Sequence, residues 1–290
     1  RIRSDADARR AGRVFLEHAA GVIARADDMS REMRLLRGLD VGELTVGAGT
    51  SPSAMLVASA VARLVRAHPD VRVRVVTDNW AALLGLVRRR ELDLAVADAT
   101  TARDDRDIHL EPLLRHQGYF VVRRGHPLLV PARIALSDVL RFPFVGVSRL
   151  PPRLLEPLLR AAPASSVPAR QTARSIPSVA CDSPSAIRTI VAGSDSVGLL
   201  PLSLIGVPGE VPGLEVLPLV EPWLYGEFAV IRLASRSLSP LGDEFARLVR
   251  EADAEVRADE ERLAGLLRAA PGVRGPGARP TPGPRRRGPS

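Results

Sequence analysis

Polar side chains able to hold a small molecule gather at a few junctions of the chain. Thr50, Ser51 and Ser53 follow the apolar run 44–48, Asn79 follows 71–76, and Asp98 and Thr100 follow 92–97. Ser148 and Arg149 follow 144–147, and Asp182 and Ser183 follow Cys181. Ser51-Pro52 and Ser183-Pro184 each place a capping residue before a proline suited to the first helical position. The free N–H groups and positive dipole end at such a start favour an anion such as a carboxylate. Two of them facing each other across a cleft would grip a small organic acid. Both serines could instead spend their hydroxyls on capping alone, and that alternative stays open. Asp98 would repel an anion unless paired, with Arg149 as a candidate partner, or would select an amine or a hydroxyl. The charge of the ligand is therefore undecided.

Enzyme chemistry finds little footing. The five histidines, His18, His68, His109, His116 and His126, are scattered, and no H-E-x-x-H or C-x-x-C occurs. There is no G-x-S-x-G elbow and no Walker loop, and Gly47-x-Gly49 is too short for a dinucleotide fingerprint. No cofactor and no metal is expected. Cys181, the single cysteine, reads as a small buried residue rather than a nucleophile, although it falls near the expected pocket.

The elements that would position these residues alternate. Apolar runs at 44–48, 71–76 and 92–97 read as strands, separated by helices over 51–67 and 79–90. In the first helix Leu56, Ala60, Val61, Leu64 and Val65 are expected inward. This βαβαβ order predicts a parallel sheet with right-handed crossovers, and ligands bind beyond the carboxyl ends of such strands. A second set follows, with strands at 119–122, 144–147, 197–200, 216–219 and 228–233 and helices at 137–140, 152–161 and 183–192. Residues 171–176 read as extended. Ser239-Pro240 opens a last helix carrying Phe245, Leu248 and Val249, continuing through Leu263, Leu266 and Leu267, with the charged stretch Glu251–Glu261 expected in solvent.

Apolar residues make up 46% of the 290 residues and aromatics only 3%, so the core must be built from Leu, Val and Ala. No run of 18 apolar residues occurs, so no membrane span is expected. The polar start and the lone cysteine point to a cytoplasmic chain. The net charge of +8 sits at the ends: residues 271–290 carry five Arg and no acid, and residues 1–37 carry nine Arg against six acids. The body between is neutral and no general polyanion binder. The Gly-, Pro- and Arg-rich 271–290 is expected to lack order. Its Arg285-Arg286-Arg287 could touch phosphates non-specifically, or simply be solvated.

Residues 8–37 read as one long helix. Phe15, Ala19, Val22, Ala26, Met29, Met33 and Leu36 are spaced 4, 3, 4, 3, 4, 3, a heptad seam suited to a second helix. Packing of that helix on its own domain is the alternative.

Several stretches, taken in order, resemble the LysR-type transcriptional regulators. Ala11-Gly12-Arg13-Val14-Phe15-Leu16 is similar to the start of the family's linker helix, and Gly42-Glu43-Leu44-Thr45-Val46-Gly47 to its first sensor strand. His68-Pro69-Asp70-Val71, Glu91-Leu92-Asp93-Leu94-Ala95 and His126-Pro127-Leu128 resemble later family motifs, as do Val191-Ala192-Gly193 with Val197-Gly198-Leu199-Leu200-Pro201, and Ser239-Pro240 with Phe245. The resemblance implies an α/β, two-lobed, periplasmic-binding-protein-like (type 2) sensor behind an N-terminal dimerisation helix. It implies a small-molecule effector, an organic acid or amino-acid-like metabolite, in the interlobe cleft, and a homodimer or homotetramer. Double-stranded DNA would be bound by a winged helix-turn-helix preceding this sequence. The expected domains are 1–7, the end of the wing; 8–38, the linker helix; 42–115 with 235–253, the first lobe; 116–234, the second lobe; 254–270, a helical extension beyond the usual family end; and 271–290, the tail. A transporter's solute-binding protein and an enzyme on the same fold are the rival readings.

Overall fold

The computed structural model describes residues 12, 15, 19, 42–131, 133–162, 176–206 and 213–269. The heptad seam and the basic tail therefore lie outside the described residues, except that Gly12, Phe15 and Ala19 are helical. Phe15, a seam position, is 72% exposed. The expected extended stretch 171–176 also falls outside, apart from Ile176.

The first lobe starts with β1 (Glu43–Ala48), whose Leu44, Val46 and Ala48 are fully buried. It pairs in parallel with β2 (Arg72–Thr77) on one side and β3 (Leu94–Asp98) on the other. Helix α1 joins β1 to β2 as a first turn (Thr50–Pro52), a wider π turn (Ser53–Val57) and a regular run (Ala58–Ala67). It ends just before Pro69, which cannot continue the helix hydrogen bonding. Leu56, Ala60 and Leu64, four apart, form its buried line, whereas Val65, expected inward, is 40% exposed because it sits a further 100° round the axis. Helix α2 (Trp80–Arg88) leads to β3 and is capped by Asn79, whose side chain accepts from the N–H groups of Ala81 at 3.1 Å and Ala82 at 3.2 Å.

The second lobe holds β5 (Phe144–Gly146) in parallel between β6 (Val179–Ala180) and β7 (Val197–Pro201). Around it lie α3 (Leu136–Val139), α4 (Pro152–Ala161), α5 (Pro184–Ala192) and α6 (Leu202–Ile205). The short β8 (Leu214–Val216) pairs with the long strand β4 (Ile108–Arg123).

Two long strands connect the lobes. β4 (Ile108–Arg123) and β9 (Tyr225–Leu233) run antiparallel, and the full strand order is β2-β1-β3-β9-β4-β7-β5-β6. From Ile108 to Gln117 β4 lies against β9, with a register shift between Pro112 and Arg115. From Gly118 onward it pairs with β7 of the second lobe. Only Tyr119–Val122 of β4 is legible as a strand, because Glu111, Pro112, Arg115 and His116 interrupt any alternation. Proline within sheets is confined to edges and bulges, and Pro112 stands beside the shift. β9 pairs with β3 from Phe228 on, so the chain re-enters the first-lobe sheet ahead of residue 235.

The last helix, α7 (Pro240–Ala269), is a single rod of 30 residues. Ser239 caps it, accepting from the Gly242 N–H at 3.1 Å. Its first half buries Phe245, Leu248 and Val249 in the first-lobe core, and its end buries Leu263 and Leu267 against Tyr119, Val121 and Leu202 of the second. The intervening charged stretch is not all in solvent. Glu255, Asp259 and Glu261 face outward, but Asp253 and Glu260 are 3% and 5% exposed.

Among the described residues no helix is long and apolar enough to cross a membrane, and no cluster is suited to hold a metal ion.

Candidate functional site

A cavity of about 130 Å³ opens between the lobes, beyond the carboxyl ends of β1, β3 and β5. The first lobe lines it with Thr50, Ser51, Asn79, Trp80 and Asp98, and the second with Arg149, Arg153 and Asp182. Leu150, Leu154, Leu199 and Leu224 give it apolar walls, and the connecting strands add His116, Tyr225 and Phe228.

Of the ten residues expected from sequence, Thr50, Ser51, Asn79, Asp98, Arg149 and Asp182 line this cavity. Ser53, Thr100, Ser148 and Ser183 are not among its lining residues. Ser53 shares a hydrogen bond with Thr77 (3.4 Å), Thr100 accepts from Arg153, and the Ser148 N–H donates to Asp182 (2.9 Å).

The two serines paired in the sequence behave differently. Ser183 caps α5, its hydroxyl accepting from the Ala186 N–H at 3.4 Å and meeting Ser185 at 3.0 Å. Ser51 is not a cap. The helix starts one residue earlier, its cap is Gly49, and no side chain satisfies its first turn. Ser51 thus lines the cavity without a capping duty.

Asp98 is indeed paired, but with Arg153 rather than Arg149. Arg153 reaches from α4 across the cleft, its Nη2 3.0 Å from Asp98 and its Nε donating to Thr100 Oγ1 at 3.1 Å. Glu227 on β9 lies 3.8 Å from the same guanidinium, which also stacks 4.8 Å over the Tyr225 ring. Arg149 instead covers the Trp80 ring at 5.4 Å. Thr50 Oγ1 donates to Asp182 at 3.5 Å. The contacts of Arg153 with Asp98 and Thr100, of Arg149 with Trp80 and of Thr50 with Asp182 join one lobe to the other across the cleft.

Two lining residues keep buried donors that meet no acceptor: Trp80 Nε1 and Arg153 Nη1. A buried donor left unpaired costs about 1–3 kcal/mol, and such groups are rare in folded chains. An acceptor-bearing ligand would supply what both lack.

Behind the cavity lies a group that the sequence did not single out. His116, 1% exposed, stands on β4 immediately before that strand leaves β9 for β7. Its Nε2 is 2.8 Å from Asp253 and its Nδ1 is 2.8 Å from Glu260. Asp253 also accepts from the Leu114 N–H (2.8 Å), and Glu260 from Ser203 Oγ (2.6 Å). Burial alone would depress the imidazole pKa; the hydrogen bonds and charges of Asp253 and Glu260 outweigh it and push it up to about 9. A signal did exist. The 3.6-residue stripe Phe245, Val249, Ala252, Val256, Leu263, Leu267 continues through positions 253 and 260, so those acids had to face inward. Arg153, Tyr225 and Trp80 left no such signature, since elements far apart in the sequence bring them to one cavity.

Cys181 is half-buried and packs against the second-lobe core, with Sγ 3.8 Å from the Ser183 carbonyl. It is not one of the cavity-lining residues.

With this geometry in view, the similar proteins are informative. A family model described as the LysR substrate binding domain matches residues 37–254. The SDS degradation transcriptional activation protein of a Pseudomonas species is 32% identical over 248 residues, covering 84% of this chain and 78% of that protein. The HTH-type transcriptional regulator GbpR of Azospirillum brasilense is 25% identical over 234 residues, covering 79% of this chain and 66% of that one. Among solved structures, an OxyR mutant of Corynebacterium glutamicum superposes with a TM-score of 0.60 at 18% identity, covering 83% of this chain and 74% of that one. The effector binding domain of QuiR in complex with shikimate has a TM-score of 0.55 at 17% identity, covering 74% and 98%. These two carry the fold alone. The extent of the family match and the identity to the Pseudomonas activator carry more: the chain belongs to the LysR family of transcriptional regulators and contains its substrate-binding domain.

Proposed function

We propose that this chain is the effector-sensing and oligomerisation part of a ligand-gated transcription regulator acting in the cytoplasm. A small metabolite, an organic acid or an amino-acid-like molecule, occupies the interlobe cavity. The observation that carries this reading is that Trp80 and Arg153, two of the residues lining the interlobe cavity, each keep a buried donor, Nε1 and Nη1, without a partner. Thr50, Ser51, Asn79 and Asp182 supply further polar contacts and fix the orientation of the ligand. Most of the Arg153 charge is already answered by Asp98 and Glu227. The effector therefore needs one acceptor group and an apolar body rather than several negative charges.

The effector acts only as far as it binds two lobe arrangements with different affinity. Interlobe contacts such as Arg153–Asp98 and Thr50–Asp182 differ between open and shut states, and a ligand that bridges the lobes favours the shut one. The linker helix, zipped to a second copy along Phe15, Ala19, Val22, Ala26, Met29, Met33 and Leu36, passes that change to DNA-binding domains preceding this sequence. Homodimers or homotetramers provide the pairing.

Native mass spectrometry of the chain mixed with a bacterial metabolite extract tests the reading. One small molecule per chain should bind and be released at unchanged mass. Release at an altered mass would favour an enzyme, and absence of any adduct would remove the effector role.

A further inference from the structure

The geometry points to His116 as a positioning residue through which the end of α7 sets the angle between the lobes, and with it the width of the cavity. The link to effector binding rests on the reading of that cavity given above; the positioning itself does not.

Three placements carry the inference. First, His116 stands where β4 passes from one lobe to the other: Arg115, His116 and Gln117 pair with β9, and Gly118 begins the pairing with β7. Any change of lobe angle must turn the backbone near this point. Second, α7 is anchored in both lobes, by Phe245, Leu248 and Val249 at one end and by Leu263 and Leu267 at the other. A rigid helix fixed at both ends resists such a turn. Third, Asp253 and Glu260 are seven residues apart and so share a helix face. Between them they take both nitrogens of His116 and the Leu114 N–H beside the register shift. The helix is thereby bonded to the crossover itself.

His116 is also one of the residues around the cavity, and its ring lies against another of them, Phe228, 5.9 Å between centroids. Movement of the imidazole would therefore be felt by whatever fills the cavity. The family match ends at residue 254, so Glu260 and the second-lobe anchor come from the part of α7 beyond it.

The bond pattern needs a protonated ring. An imidazolium donates from both nitrogens, whereas a neutral imidazole has one N–H and would set its bare nitrogen against a carboxylate oxygen 2.8 Å away. The surroundings of His116 hold few other titrating groups. Asp253 and Glu260 face it from α7, Ser203 on α6 steadies Glu260, and Phe228 on β9 is uncharged. Arg115 and Glu227 next to it are paired at 3.3 Å, and Arg257 of α7 donates to the Arg115 carbonyl at 2.7 Å. Tyr119, close to Glu260, is pushed by burial above its ordinary 10.

The test uses the full chain without ligand, spin-labelled at Arg66→Cys in the first lobe and Arg141→Cys in the second, in a Cys181→Ser background. Pulsed electron paramagnetic resonance reads the interlobe distance from pH 6 to pH 10. The parent should give one narrow distance up to about pH 8 that broadens or shifts as the ring loses its proton. Glu260→Gln should move that change down by about one pH unit or more, since it removes one of two charges holding the proton. Ser203→Ala keeps all charges and should move it less; it also serves if Glu260→Gln does not fold. A merely structural role would lower the melting temperature and leave the distances alone. Identical distributions at every pH in the parent and in the variant that folds would overturn the proposal. Because no ligand is present, an altered spacing supports it even if no metabolite binds, in which case the effector reading alone fails.

Discussion

The cavity and the His116 cluster adjoin at one residue, and both bury polar groups between the lobes, yet they treat those groups in opposite ways. Around His116 every partner is supplied by the chain: two carboxylates, one imidazole, one hydroxyl and one backbone N–H account for one another. At the cavity two lining residues keep buried donors, Trp80 Nε1 and Arg153 Nη1, that are left unmet. A closed network specifies one arrangement of the chain, whereas an open one is completed from outside. The difference separates the part of the junction that holds the lobes from the part that answers a ligand.

The largest effect should come from breaking the closed network. His116→Ala leaves two buried carboxylates without their cation and should cost about 3–5 kcal/mol in urea unfolding. A loss below about 1 kcal/mol would mean that the acids find solvent or each other's protons instead, and the contrast would collapse. The pH dependence comes next. An unfolded histidine titrates near 6.5 and His116 at about 9, so the folded state holds the proton more tightly. That contribution is complete below about pH 6.5, shrinks as pH rises, and is gone above about 9; it amounts to at most about 3 kcal/mol. The urea midpoint should fall across this window in the parent and fall less in Glu260→Gln; equal slopes would detach His116 from the effect.

The open network predicts a different pattern. Trp80→Phe keeps an aromatic ring and deletes an unmet donor, so stability should hold or rise slightly. Affinity for the adducts found by mass spectrometry should drop by about tenfold, the worth of one hydrogen bond. Unchanged affinity would show that the indole N–H is idle. The smallest effects separate the two serines. Ser183→Ala loses a helix cap and about 0.5–1 kcal/mol of stability. Ser51→Ala should stay within about 0.5 kcal/mol and, if it changes anything, weaken ligand binding. The reverse order would contradict the assignment of Gly49 as the cap.

Much of the fold was legible because it obeys local periods. Leu44, Val46 and Ala48 alternate, Leu56, Ala60 and Leu64 repeat every four residues, and Ser183, Ser239 and Asn79 stand where their helices begin. Half of the cavity was legible for the same reason: polar residues just past a parallel strand must lie at its carboxyl end, which is how Thr50, Asn79 and Asp98 could be placed. What stayed hidden depends on contacts distant in sequence. The Asp98 partner is Arg153, 55 residues away in the first turn of α4, and not Arg149, which precedes that helix. The crossover strand was obscured by the residues that make it useful, because Pro112 stands beside its register shift and His116 puts a titrating ring where an apolar side chain would ordinarily sit. Asp253 and Glu260 were hidden by composition: a stretch rich in charge reads as solvated unless its helical phase is followed through it.

The most direct trial of the effector reading is a crystal structure of the chain with a retained metabolite. The account predicts one small molecule between the lobes, with acceptor atoms within hydrogen-bonding reach of Trp80 Nε1 and Arg153 Nη1. A ligand bound elsewhere, or one in the cleft that leaves both nitrogens unmet, would contradict it.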